Sequence, residues 1–166
     1  AISAGVVDVR VVDVTIGTPM PSSDGINVAT SQDCASSIAA ASGPIFGKIR
    51  NLQFVIESRA RTAFNLNVVA VYSFSTDSDV PIGGSLRFCH PSGFFQFDQR
   101  PLQFSFGNCN SCIKWITSSC MLATLSTLGM PAGPQIVSIS GLVLGRATSG
   151  GSVFVRSSVD YASDPV

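Results

Sequence analysis

The residues best suited to chemistry are few. Five cysteines, one histidine and ten acidic side chains are spread over 166 positions. The histidine, His90, stands in "FCHPSG" beside Cys89, and any Ser/His/Asp or Cys/His system would have to use it. Neighbouring residues of an extended chain point to opposite faces, so Cys89 is badly placed to serve His90 as a nucleophile. No G-x-S-x-G elbow occurs. His90, standing before Pro91, reads as a turn residue, and the chain is expected not to be an enzyme. "CNSC" (109–112) is a C-x-x-C pair without the βαβ setting of a redox motif, and a zinc site would need two further soft ligands. Asp77 and Asp79 in "DSD" are the nearest approach to a hard-cation site, but a solvated loop accounts for them. "GPIFGKI" (43–49) has three residues between its glycines and Ile49 after Lys48, so it is not a phosphate loop. Neither a metal nor a cofactor is expected.

The cysteines Cys34, Cys89, Cys109, Cys112 and Cys120 are odd in number, which argues against a complete disulfide framework. A chain of this length does not need one for stability. They are therefore expected to be reduced and to pack as small apolar groups. No N-x-Ser/Thr acceptor is present.

Charge is scarce. Ordinary usage of about a quarter would give roughly 41 charged residues, whereas the chain has ten basic and ten acidic ones and a net charge of zero. No run of 18 apolar residues offers a membrane-spanning helix, and 45% hydrophobic residues exclude a disordered composition. Sparse charge favours association, so the surface is expected to be covered by neighbouring subunits. Basic residues form no stripe or arm; the close pairs are Lys48 with Arg50 and Arg59 with Arg61. Binding of RNA by counterion release needs several phosphate contacts per protein. A single copy would hold RNA weakly, and many copies together without sequence preference.

The elements that must position these residues are strands. "VVDVRVVDV" (6–14) is β-branched and predicts one, with Val9 and Val11 flanking Arg10. "SQDCASSIAAAS" (31–42) fits either a short helix capped by Ser31 or a strand. In "NLQFVIES" (51–58), Leu52, Phe54 and Ile56 share a face. In "AFNLNVVAVYSF" (63–74), Phe64, Leu66, Val68, Ala70, Tyr72 and Phe74 share one. "SLRFC" (85–89) turns Leu86 and Phe88 inward. The five phenylalanines of "FFQFDQRPLQFSF" (94–106) alternate with polar residues on both sides of "DQRP", which predicts two strands with buried rings and a turn between them. In residues 112–126 a strand through Ile113, Trp115 and Ile116 is expected, followed by a short helix over 121–128. Segments 135–145 and 150–161 are expected to close the chain as an antiparallel pair. Eight or nine short strands with long connections at 75–84 and 117–134 indicate an all-β fold, an eight-stranded antiparallel Greek-key jelly-roll sandwich. Residues 1–30 are expected to be an N-terminal arm and 31–166 the jelly-roll domain.

The strand layout of "IRNLQFVIES", "LNVVAVYSFSTDSDVP", "GGSLRFCHPSG", "PLQFSF", "PQIVSISGLVLG" and "GGSVFVRSSVDYAS" resembles the jelly-roll coat proteins of small icosahedral plus-strand RNA viruses of plants. Its spacing is similar to tymovirus coat proteins and to the small subunits of comovirus-type capsids, over roughly residues 45 to 162. The resemblance implies a structural capsid protein that self-assembles into an icosahedral shell around viral RNA, assembled in the host cytoplasm and residing in the virion. Its partners would be other copies of itself, other capsid subunits and, weakly, the RNA, with no membrane contact. Comovirus-type subunits are cut from a polyprotein, which would suit a chain starting at Ala1. No short motif carries family site residues over. Arg59, Arg61 and Lys114 are the candidates for the RNA-facing side. The alternative is a secreted β-sandwich binding module, lectin- or adhesin-like, which predicts disulfides among the cysteines.

Overall fold

The computed structural model describes residues 8–20, 22, 24–29, 31, 37–57, 62–97, 100–108, 112–161, 163 and 165–166. The chain divides into two compact units, 1–45 and 46–166, so the division falls beyond the 1–30 arm drawn from the sequence.

In the first unit, β1 (Asp24–Ile26) pairs antiparallel with β2 (Ala40–Ala41), and Met20 bridges to Ile45. Residues 8–14 form no strand, contrary to the expectation, and Val9, Val11, Val12 and Val14 are 66 to 71% exposed. Their β-branched pattern supplies propensity, but a strand forms only where a neighbour accepts its backbone hydrogen bonds. Of the undecided segment 31–42, the two residues of β2 are extended, while 32–36 lie outside the described residues.

The second unit is all β. Its strands are β3 (Gly47–Glu57), β4 (Val68–Thr76), β5 (Ser85–Cys89), β6 (Gln103–Phe104), β7 (Ile113–Thr117), β8 (Cys120–Thr124), β9 (Gly133–Leu142), β10 (Phe154–Ser157) and β11 (Asp160–Tyr161). One sheet has the order β11-β3-β4-β9-β6 and the other β10-β5-β8-β7. Every pairing is antiparallel except β11 with β3.

Alternation explains which faces meet. Leu52 and Ile56 on β3, Val68, Ala70, Tyr72 and Phe74 on β4, and Val137 and Ile139 on β9 are buried, as are Leu86 and Phe88 on β5 and Met121 and Ala123 on β8. The Tyr72 ring of one sheet lies 4.7 Å from the Phe88 ring of the other, which closes the sandwich around a single core. The β4–β5 and β8–β9 connections cross between the sheets at the same end. They are tied by the Val80–Met130 bridge and by the Leu125 N–H donating to the Gly84 carbonyl at 2.9 Å.

Four expectations are corrected here. Phe64 and Leu66 precede β4 and are exposed, because left-handed backbone at Phe64 (φ 63°) and Asn67 (φ 55°) turns the chain before the strand begins. Phe97 is 55% exposed, whereas Phe95, Leu102 and Phe104 are core. Residues 94–97 run beside Leu144 through a single bridge at Phe95 rather than as a full strand, so alternation is not enforced there. The expected helix over 121–128 does not form: residues 120–124 are β8, and 125–128 lie in the connection after it. A tight turn in which Ser119 N–H donates to Thr117 Oγ1 at 3.3 Å folds β8 back on β7, and β5 takes its other edge. Met121, Leu122 and Ala123 favour helix intrinsically, but a slot between two strands overrides that preference. Finally, β9 and β10 do not pair; they lie in different sheets.

The cysteines are also corrected. Cys89 and Cys120 are direct cross-strand partners of β5 and β8 and form a disulfide. Cys112 is disulfide-bonded as well. Parity argued only that one of five cysteines is left over, and it gave no reason for the other four to be reduced.

Candidate functional site

Side chains and backbone from four segments enclose a cleft of about 480 Å³ at one end of the sandwich. Phe54 and Ile56 come from the last turn of alternation on β3, and Thr62 and Ala63 from the connection after it. Phe94 comes from the turn following β5, and residues 144–151 from the long connection between β9 and β10.

The cleft is held open by backbone. The Leu144 N–H donates to the Asn65 carbonyl at 3.0 Å, the Phe64 N–H to the Leu144 carbonyl at 3.1 Å, and the Gly145 N–H to the Phe94 carbonyl at 2.8 Å. Gly145 is required at this crossing. A Cβ there would overlap the Gly93 carbonyl oxygen and stand 2.8 Å from its carbon, and neither backbone can yield. At the far side Val153 and Val166 exchange two backbone hydrogen bonds of 2.8 and 3.0 Å.

The floor and the rim differ in chemistry. Phe54 and Phe94 meet edge to face at 5.8 Å, and Leu144 and Val153 are buried below them. The rim is exposed and rich in donors. Among the described residues, Arg146 is the single charged side chain of the wall, and it has no ion-pair or hydrogen-bond partner there. The backbone N–H groups from Arg146 to Ser152 likewise donate to no protein acceptor among the described residues. Among the described residues, no aspartate, glutamate, asparagine or glutamine lines the cleft.

A chain of rings leads away from it, through buried Phe95 and His90 and out to exposed Phe97. Phe94 packs on Phe95 at 4.9 Å, Phe95 on His90 at 4.9 Å, His90 on Trp115 at 5.5 Å and Trp115 on Phe97 at 6.0 Å. His90 is thus a core residue rather than a surface turn. It is 4% exposed, its Nδ1 stands 3.4 Å from the Pro91 carbonyl oxygen, and its Nε2 has no partner. Burial pushes its imidazole down to about 4, against a smaller opposing effect of the Pro91 carbonyl. Burial likewise raises the Tyr72 phenol well above its ordinary range. Neither group reaches solvent in a form suited to proton transfer, and Cys89, the chain neighbour of His90, is committed to its disulfide.

The acidic candidates have structural partners. Asp77 accepts from Arg50 Nε at 2.9 Å and from the Lys48 N–H at 3.0 Å. The Arg50 hydrogen bond holds its carboxyl below the usual range despite an opposing desolvation cost. Asp79 accepts from the Ala132 N–H at 2.6 Å. Of the proposed RNA-facing residues, Arg59 and Arg61 lie outside the described residues, and Lys114 is exposed on β7. The sequence reading missed the cleft residues. Their signal is "GLVLGRATSGG", which begins inside the strand expected over 135–145 and runs on into a glycine-rich stretch carrying one arginine.

No protein-family model matches the chain, and no curated protein does. Among solved structures, the crystal structure of BslA, a bacterial hydrophobin, is similar to it at a TM-score of 0.45 and 14% identity. The match covers 72% of this chain and 96% of that one. A likeness at that level carries no functional argument.

Proposed function

We propose that this chain is a secreted β-sandwich binding module that presents the 480 Å³ cleft between the β3–β4 and β9–β10 connections. The observation that carries this reading is the Cys89–Cys120 disulfide. Disulfides form and persist in oxidising, extracytoplasmic environments. The cleft adds the second element: it falls within the roughly 300–1,000 Å³ range of small-molecule sites, and loops on a rigid sandwich are where such sites are built. The crossings of β4–β5, β8–β9 and β9–β10 between the layers support reading the connectivity as a Greek-key jelly roll, with β3 to β10 as its eight strands. Alkylation of native material without reductant, followed by peptide mass mapping, tests the assignment. A Cys89–Cys120 linked peptide is expected, and free thiols at both positions would overturn it.

A second reading, a coat subunit of an icosahedral shell, is favoured by the outer face of the larger sheet. Its middle rows are Gln53, Ser73, Ile136 and Val55, Val71, Ser138, which hold no charge, with Val55 and Ile136 exposed. Such a face suits burial between copies. Sedimentation of native material distinguishes the two: uniform shells support the coat subunit, and a persistent monomer at high concentration removes it.

A further inference from the structure

We infer that the cleft recognises a small amphipathic anion, an aromatic or aliphatic body ending in a carboxylate. The apolar part would rest on Phe54, Phe94, Leu144 and Val153 and the head on Arg146 and the loop that carries it. This rests on the binding-module reading and specifies its ligand.

Three features of the wall lead there. The floor is hydrocarbon and two phenyl rings, which suit an apolar body. The rim offers donors: the Arg146 guanidinium, the Thr148 hydroxyl, and a run of backbone amides through Gly150 (φ 93°) and Gly151 (φ 154°) that no protein acceptor uses. Successive free amides beside an arginine suit an acceptor with several lone pairs, and a carboxylate is the compact group that provides them. The third feature is what the wall omits. A neutral sugar presents hydroxyls that donate as well as accept, and its sites need side-chain acceptors to receive those protons. Among the described lining residues no side chain carries a carboxylate or an amide, and the side-chain acceptors are the hydroxyls of Thr62 and Thr148 alone. The floor is also fixed before any ligand arrives, because the Gly145–Phe94 and Leu144–Asn65 hydrogen bonds tie the β9–β10 connection to the β5–β6 and β3–β4 connections. Little ordering is then required on binding.

The test uses the full chain and two probes of equal shape, 4-phenylbutyrate and its neutral amide, 4-phenylbutyramide, titrated by calorimetry and followed by backbone amide NMR. The acid should bind, shift the amides of residues 145–151, and exceed the amide derivative in affinity by tenfold or more, as expected for a charge-assisted hydrogen bond. Arg146→Gln, at an exposed position, should weaken the acid about tenfold and leave the amide derivative unchanged. Ala147→Trp, also exposed, should block both. Equal affinity for the two probes, or an acid affinity indifferent to R146Q, overturns anion recognition. A neutral oligosaccharide that shifts residues 145–151 while the acid does not would overturn it too, yet leave the binding module standing. Free thiols at Cys89 and Cys120 would remove the secreted setting of the module, and the titrations would then judge the cleft by itself.

Discussion

Acidification should destabilise this protein through His90. The imidazole is 4% exposed, is enclosed by the rings of Phe95 and Trp115, and leaves Nε2 without an acceptor. In the folded chain it gains its proton only near pH 4, and in the unfolded chain near 6.5. Between those values the unfolded state binds a proton that the folded state does not, so stability falls as pH is lowered through that window and is unaffected by this group above it. The gap of about 2.5 pKa units at roughly 1.4 kcal/mol each corresponds to a total loss of about 3 kcal/mol, most of it present by pH 4.5. The assay is urea unfolding at pH 7.0 and 4.5 for the native chain and for His90→Phe and His90→Gln. Asp77, whose carboxyl is held low by Arg50, is still ionised over most of this range in the fold, and it is common to all three proteins. The native chain should therefore lose about 2 kcal/mol more than either variant between the two pH values. An equal loss in all three would refute the argument, since a buried neutral histidine must then contribute nothing to the slope.

Three further outcomes are expected. Replacing Cys89 and Cys120 by serine releases a loop of 31 residues and should cost about 3–4 kcal/mol of unfolding free energy on chain-entropy grounds; guanidinium titration of the native chain and the double variant measures it, since reductant would also open the disulfide of Cys112. Gly145→Ala forces a Cβ into the Gly93 backbone and should destabilise by about 3 kcal/mol or more, read as a lowered melting temperature together with loss of the 145–151 amide pattern. Phe95→Ala should cost about 3–5 kcal/mol, because its ring is 1% exposed. Phe97→Ala, at 55% exposure, should cost about 1 kcal/mol or less, and equal losses at the two sites would contradict the placement of these rings.

Much of the fold was legible wherever period-2 alternation was long enough and a neighbouring strand paired with it. Leu52 to Ile56, Val68 to Phe74 and Leu86 to Phe88 turn the same residues inward that their spacing predicts. Legibility failed where the deciding contact was distant. Val9 to Val14 carry a strand pattern without a strand, Phe97 carries a core pattern without burial, and Met121 to Ala123 carry helix formers between two strands. The site was less legible than the fold. Arg146 is one of ten basic residues, and nothing near it in the chain says that Phe54 and Phe94 will stand beneath it.

Composition and alternation by themselves determined an all-β chain of low charge with its aromatic rings turned largely inward, because both are properties of neighbours in sequence and of the pleat they build. The tertiary structure alone decided that Cys89 faces Cys120, that His90 is buried without an acceptor, and that two connections 80 to 90 positions apart meet around a cleft. Those are long-range pairings fixed by strand register and sheet crossing, and residue spacing along the chain does not encode them.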